Sequence, residues 1–327
     1  MVSKTFLLAL LFVTGLNLAN LPAQDSGCTQ RTIAVGVVDS AWNLVPNLSA
    51  ANFRGKLQGR ELQILSASLD PNPRRIVVLL DASGSMMSPD SGGWKTERSI
   101  SEYLIRFAPR GASIAFLGFA STVLGTQGFN DDPAVLLKNL SALGGVCEGR
   151  QQSRHTALYD AISSARGTLG VCRIGDVICA LTDGEDNASQ AEARKTQEEL
   201  HTGQVRLFGI VTLHELRSAR PPGEIGPEQL YSMIEATGGN RLFLPYAAMS
   251  EPYKHIKAKT GTEAVDLALQ RLYRQMGEFY RLDVRLPETV EKPTKWKLEV
   301  LDESGKPMRE VEVHYPQELM PCAKASP

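Results

Sequence analysis

Five side chains carry the chemistry this sequence offers: Asp81, Ser83, Ser85, Thr156 and Asp183. The first three alternate in Asp81-Ala-Ser-Gly-Ser85, directly after an apolar run at 76–80. Thr156 opens a segment of helical spacing, and Asp183 follows a second apolar run at 177–181, in Leu181-Thr-Asp-Gly184. Two carboxylates and three hydroxyls, without imidazole or thiolate, form an oxygen-only donor set. Such a set suits a hard cation, Mg²⁺ first, with Mn²⁺ or Ca²⁺ as alternatives. Two carboxylate charges balance a dication, and few direct ligands leave room for water or a guest. Taken singly, each piece has a plainer explanation. Asp and Ser cap strand ends and turns, threonine caps helices, and 183–187 reads as an acidic loop. Glu185 and Asp186 either add negative potential that favours cation capture or belong to a solvated loop.

The elements that must position these groups follow from the hydrophobic periods. Ahead of the first motif, 32–38 reads as a strand, with further strand pieces at 57 and 62–69, and Asp70-Pro-Asn-Pro73 interrupts any continued ladder. From Arg75 the pattern alternates. Strands are predicted at 76–80, 112–119, 176–181, 205–213 and 241–244, with 123–129 antiparallel beside the second. Helices are predicted at 95–107, 131–143, 156–169, 189–201, 227–236 and 262–276. Beyond Gly277 only strands remain, at 280–286, 296–301 and 311–315, with a hairpin-like turn at Asp302-Glu-Ser-Gly305. This order predicts an α/β fold with a doubly wound, mostly parallel sheet, in which ligands bind at the carboxyl ends of strands. The β-only segments at the two ends are expected to form one β-sandwich with the α/β unit inserted in it; two independent flaps are the rival arrangement. The division is 1–23 signal peptide, 24–73 N-terminal β segment, 74–277 α/β domain and 278–327 C-terminal β segment.

Together the three pieces resemble the metal-ion-dependent adhesion site of the von Willebrand factor type A domain. The Asp-x-Ser-x-Ser of that family matches Asp81, Ser83 and Ser85; its threonine matches Thr156, and its Thr-Asp-Gly aspartate matches Asp183. The resemblance covers about residues 75–276, and the flanks are most similar to exported bacterial relatives of the family. It implies a metal-dependent protein-binding module, used in adhesion or interaction, in which an acidic side chain of a protein partner completes the coordination of Mg²⁺. Loops at 88–94 and 144–155 would rim that face.

The remaining features bound the function. The chain has 327 residues and a formal net charge of −1, so no global field recruits nucleic acid. Residues 1–23 have the basic start, short apolar segment and small-residue end of an export signal, and no later run reaches the length of a membrane span. A periplasmic or secreted protein is expected. Of five cysteines, Cys28 and Cys322 near the two ends are one candidate disulfide, Cys147 and Cys172 another, and Cys179 reads as a buried thiol. No catalytic residue is assigned. Asp90-Ser-Gly-Gly93 is similar to the segment around a trypsin-like serine nucleophile, but every histidine follows it, against that family's order. A metal-assisted hydrolase, with His155 as its nearest base, and an assembly subunit with an incidental metal site are the alternatives to binding.

Overall fold

The computed structural model describes residues 26–88, 92–108, 111–149, 155–213, 227–245 and 261–322. The export-signal segment 1–23 and the Asp90-Ser91 pair lie outside the described residues.

The chain starts with α1 (Ser26–Thr29), β1 (Gln30–Asp39), β2 (Phe53–Leu57), β3 (Arg60–Glu61) and β4 (Gln63–Leu69). The central unit runs β5 (Arg75–Asp81), α2 (Gly84–Met87), α3 (Gly93–Phe107), β6 (Ser113–Phe119), β7 (Val123–Asn130), α4 (Pro133–Glu148), α5 (Leu158–Leu169), β8 (Val177–Thr182), α6 (Ala193–Gly203), β9 (Arg206–Leu213), α7 (Glu228–Ala236), β10 (Arg241–Pro245) and α8 (Gly261–Gly277). The chain then returns through β11 (Tyr280–Arg285), β12 (Thr294–Val300), β13 (Val311–His314) and β14 (Glu318–Leu319).

The central sheet has the order β10-β9-β8-β5-β6-β7, parallel except for β7. From β5 the chain first steps to β6 and β7 on one side, then crosses to β8 on the other. The β5–β8 boundary is therefore the topological switch point, where doubly wound sheets open a crevice at their carboxyl edge. Strand alternation supplies both faces. Ile76, Val78 and Leu80 pack under α3, α4 and α8, while Val77 and Leu79 pack under α5, α6 and α7.

The terminal segments form a single β-sandwich, so the flap arrangement does not occur. One sheet is β13-β1-β11-β4 and the other β14-β12-β2-β3. In both sheets, strands from before and after the α/β unit are hydrogen-bonded neighbours. Phe53, Leu57, Tyr280, Leu282, Trp296 and Leu298 fill the layer between them. A Cys28–Cys322 disulfide joins the two ends. Cys147 and Cys172 do not pair. Cys147 packs on the α3/α4/α8 face and Cys172 on the opposite one, so the sheet separates them. Cys179 is buried, as expected.

Two helices depart from the predicted spans. The fourth continues to Glu148 instead of stopping at Leu143, because Leu136, Leu140, Leu143 and Cys147 keep one apolar face through Gly144-Gly145. Cys147 and part of the expected rim loop 144–155 are thus helical. The sixth begins at Ala193, four residues late. The Asp160 carboxylate takes the amides of Gln190 at 3.0 Å and Ala191 at 2.8 Å, which offers that backbone a local alternative to the helix.

Behind the sheet, two guanidiniums close the last turn of α8. Arg206 donates to the Gln275 carbonyl at 3.0 Å and the Met276 carbonyl at 2.7 Å; Arg74 donates to Gly277 at 2.9 Å. Both stack over the Phe279 ring, 4.2 Å and 4.6 Å from its centroid. The free carbonyls of a helix end are met here by fixed cations, which also suit the helix dipole.

Candidate metal centre

Asp81 ends β5 and Asp183 follows β8, so the switch point brings the two carboxylates to one edge of the sheet. Asp81 is fully buried and Asp183 is 8% exposed. One carboxylate oxygen of Asp81 accepts the Ser83 amide at 2.9 Å, the turn-capping arrangement that its sequence context also allows. The other accepts the Thr182 hydroxyl at 2.6 Å. The Ser83 and Ser85 hydroxyls lie 3.2 Å apart, and Ser85 donates to Asp183 at 2.6 Å. Four of the five expected residues are therefore linked in one chain of contacts.

Thr156 enters from the loop before α5 and is 3% exposed. It is not the helix cap: α5 starts at Leu158, its N-cap residue is Ala157, and no side chain caps it. Backbone contacts fix Thr156 instead. Its amide donates to the Asn187 side chain at 2.8 Å, and its carbonyl accepts the amides of Asn187 and Ala188. The next residue, Ala157, donates to Ala120 at 2.7 Å, while Ala82 donates to Phe119 at 2.7 Å. Thr156 is thus tied to the loop that carries Asp183 and to the end of β6.

The turn after Asp183 requires its glycine. Gly184 has φ +83°, and a Cβ there would stand 2.7 Å from Pro227. Asp186 departs from the expectation of a solvated loop. It is buried and accepts the Tyr159 amide at 3.1 Å, and Ser189 also donates to it, so it holds the first turn of α5 against this loop. His155 is exposed.

Burial, followed by the Asp183 charge, raises the Asp81 pKa above the ordinary carboxylate value; the bonds from Ser83 and Thr182 oppose that rise. A third acid adds to the strain. Glu97, on α3, is 1% exposed, and neither carboxylate oxygen has a hydrogen-bond partner among the described residues. Burial, then the Asp81 and Asp183 charges, push its pKa well above the usual range. The sequence motifs do not include Glu97, but helical spacing does flag it: Glu97, Ile100, Ser101 and Leu104 share one buried stripe of α3.

The donor set fits a hard cation. It is all oxygen, it holds two carboxylates at a buried edge, and it leaves Asp81 disfavoured as an anion in the present surroundings. Asp81, Asp183 and the hydroxyls of Ser83, Ser85 and Thr156 are the groups that would hold it. Among the described residues no three His, Cys, Asp or Glu side chains converge as a metal cluster; in this donor set the hydroxyls would supply the remaining oxygens.

Fold and site together define a doubly wound α/β unit with a hydroxyl–carboxylate edge, set within a β-sandwich. This is the architecture the sequence resemblance implies. Neither a protein-family model nor a curated protein matches the chain. Solved structures do. A conserved hypothetical protein, BatB from Bacteroides thetaiotaomicron, is 15% identical, covering 63% of this chain and 98% of its own, with a TM-score of 0.44. A von Willebrand factor type A protein from Catenulispora acidiphila is 11% identical, covering 91% and 74%, with a TM-score of 0.43. Proximal thread matrix protein 1 from the mussel byssus is 14% identical, covering 67% and 49%, with a TM-score of 0.44. The strand order and side-chain contacts carry the functional reading independently of these likenesses.

Proposed function

We propose that the protein is an exported, metal-dependent protein-binding module of the von Willebrand factor type A kind, and not an enzyme. The observation that carries this reading is the Ser83–Ser85–Asp183 contact chain, which ties the β5 loop to the β8 loop at the switch point beside buried Asp81. Two acids and neutral hydroxyls make a site that is improved by a dication. Mg²⁺ is the preferred occupant, since it keeps part of its water shell and is held by few carboxylates. Bound there, it offers a position to a partner's acidic side chain, and the surrounding loops select that partner. No helix among the described residues is long and apolar enough to cross a membrane. Capture of a partner from the exported fraction by the immobilised full chain, in Mg²⁺ and again in EDTA, tests the proposal. Capture that needs Mg²⁺ and fails with an Asp81→Ala, Asp183→Ala variant is expected. Capture that is indifferent to both would refute it.

A further inference from the structure

Among the described residues, Glu97 is the buried acid near this site to which neither the motif nor a hydrogen bond of good geometry gives a role. It lies on the first turns of α3, and that helix begins against the loop of interest: a Cβ on Gly93 would stand 2.9 Å from the Met86 methyl, one residue beyond Ser85. The stripe below it is ordinary core. Ile100, Leu104 and Ile105 pack on Ile76, Val78 and Leu80 with Trp94 and Ala82 alongside. An aliphatic side chain would fit that pattern at 97. A carboxyl group there, with neither oxygen in a hydrogen bond of good geometry among the described residues, is costly to bury. The charges of Asp81 and Asp183 bear on it, as do the Asp81 amide and the Cys147 thiol, so the group lies beside the end of β5 that carries the candidate centre.

We infer that Glu97 is a positioning residue of the cation site, an outer carboxylate that accepts hydrogen bonds from cation-bound water and steadies the Asp81–Ser85 loop without being a ligand. The inference rests on the cation reading of the site. Mg²⁺ keeps several waters when bound by few carboxylates, and groups behind the direct ligands, when removed, lower metal affinity by about 10–100-fold.

Titration calorimetry of the full chain with Mg²⁺ alone, beside thermal melting in EDTA, tests this. For Glu97→Gln, which keeps shape and removes charge, Mg²⁺ affinity is expected to fall roughly tenfold or more, while the melting temperature in EDTA holds or rises. Glu97→Met reads the same two quantities if the Gln variant does not fold. A merely structural Glu97 would change melting but leave affinity alone. Wild-type affinity in either folded variant overturns the inference and leaves the cation reading intact. A wild-type chain that binds no Mg²⁺ overturns both.

Discussion

At the amino edge of the central sheet, buried charges meet partners from the chain itself. Arg74 pairs with Asp70 at 2.9 Å, Arg75 with Asp176 at 2.5 Å, and Arg206 gives both terminal nitrogens to α8 carbonyls, its Nε alone meeting no partner among the described residues. Asp70 is held below the usual carboxylate range: burial acts upward, but the bonds from Asn72 and Arg74 outweigh it. At the carboxyl edge, seven residues along β5, the pattern reverses. Asp81 has a like charge, Asp183, as its main electrostatic neighbour, and Glu97 sits behind them without a bond. Both edges are buried to a similar degree, so burial does not separate them. Local compensation does. An internally paired cluster serves the fold; under the proposed function, a cluster of acids with hydroxyls, with no cation bearing on Asp81 among the described residues, would take its charge from outside.

The contrast can be broken or sharpened by substitution. The largest effect is expected from Arg74→Met, which strands Asp70 in a buried setting and uncovers the end of α8. Denaturant unfolding should show a loss of roughly 3–5 kcal/mol, equal in Mg²⁺ and in EDTA. The opposite edge should respond with the opposite sign. Asp81→Asn removes a like charge, so in EDTA the variant is expected to be as stable as wild type or about 1 kcal/mol more so, and its melting should ignore Mg²⁺. A pH-dependent effect of intermediate size belongs to His201, buried near the start of β9 with its Nε2 2.9 Å from the Ala236 carbonyl. Burial depresses its pKa below the ordinary histidine value. The unfolded chain therefore binds more protons below that value, so stability is full above about pH 6.5 and declines as pH falls toward the native pKa. His201→Gln should flatten that slope in urea melts across pH 5–7. The smallest effect is expected at the exposed Arg54–Glu299 pair across β2 and β12. A double-mutant cycle there should return about 0–1 kcal/mol.

Much of this contrast was legible before any coordinates. The continuous apolar runs at 76–80 and 177–181 announced strands covered on both faces, and these place Asp81 and Asp183 at one edge. Strand-only segments at both ends of an α/β unit point to the sandwich, with two separate flaps as the rival that the shared sheets exclude. What escaped has physical causes. Glu97 lies outside the motifs, and although helical spacing puts it on the stripe of Ile100 and Leu104, a single acid there also suits a solvated position until the helix is packed. Thr156 looked like a helix cap because Leu158, the true start, lies only two residues on. Asp186 looked solvated because its partner Tyr159 is brought to it only by tertiary contact. The start of the sixth helix moved because Asp160, 30 residues away, captures the amide of Gln190. Periodicity describes faces, and these four features depend on which faces meet.

The central claim is that the carboxyl edge is completed by a cation, and thermal melting of the full chain in EDTA and across an Mg²⁺ titration tests it most directly. The account predicts a melting temperature that climbs with Mg²⁺, equivalent to about 2.7 kcal/mol at a hundredfold excess over the dissociation constant, and no climb for the Asp81→Ala, Asp183→Ala variant. Superimposable wild-type melts in Mg²⁺, Mn²⁺, Ca²⁺ and EDTA would contradict it.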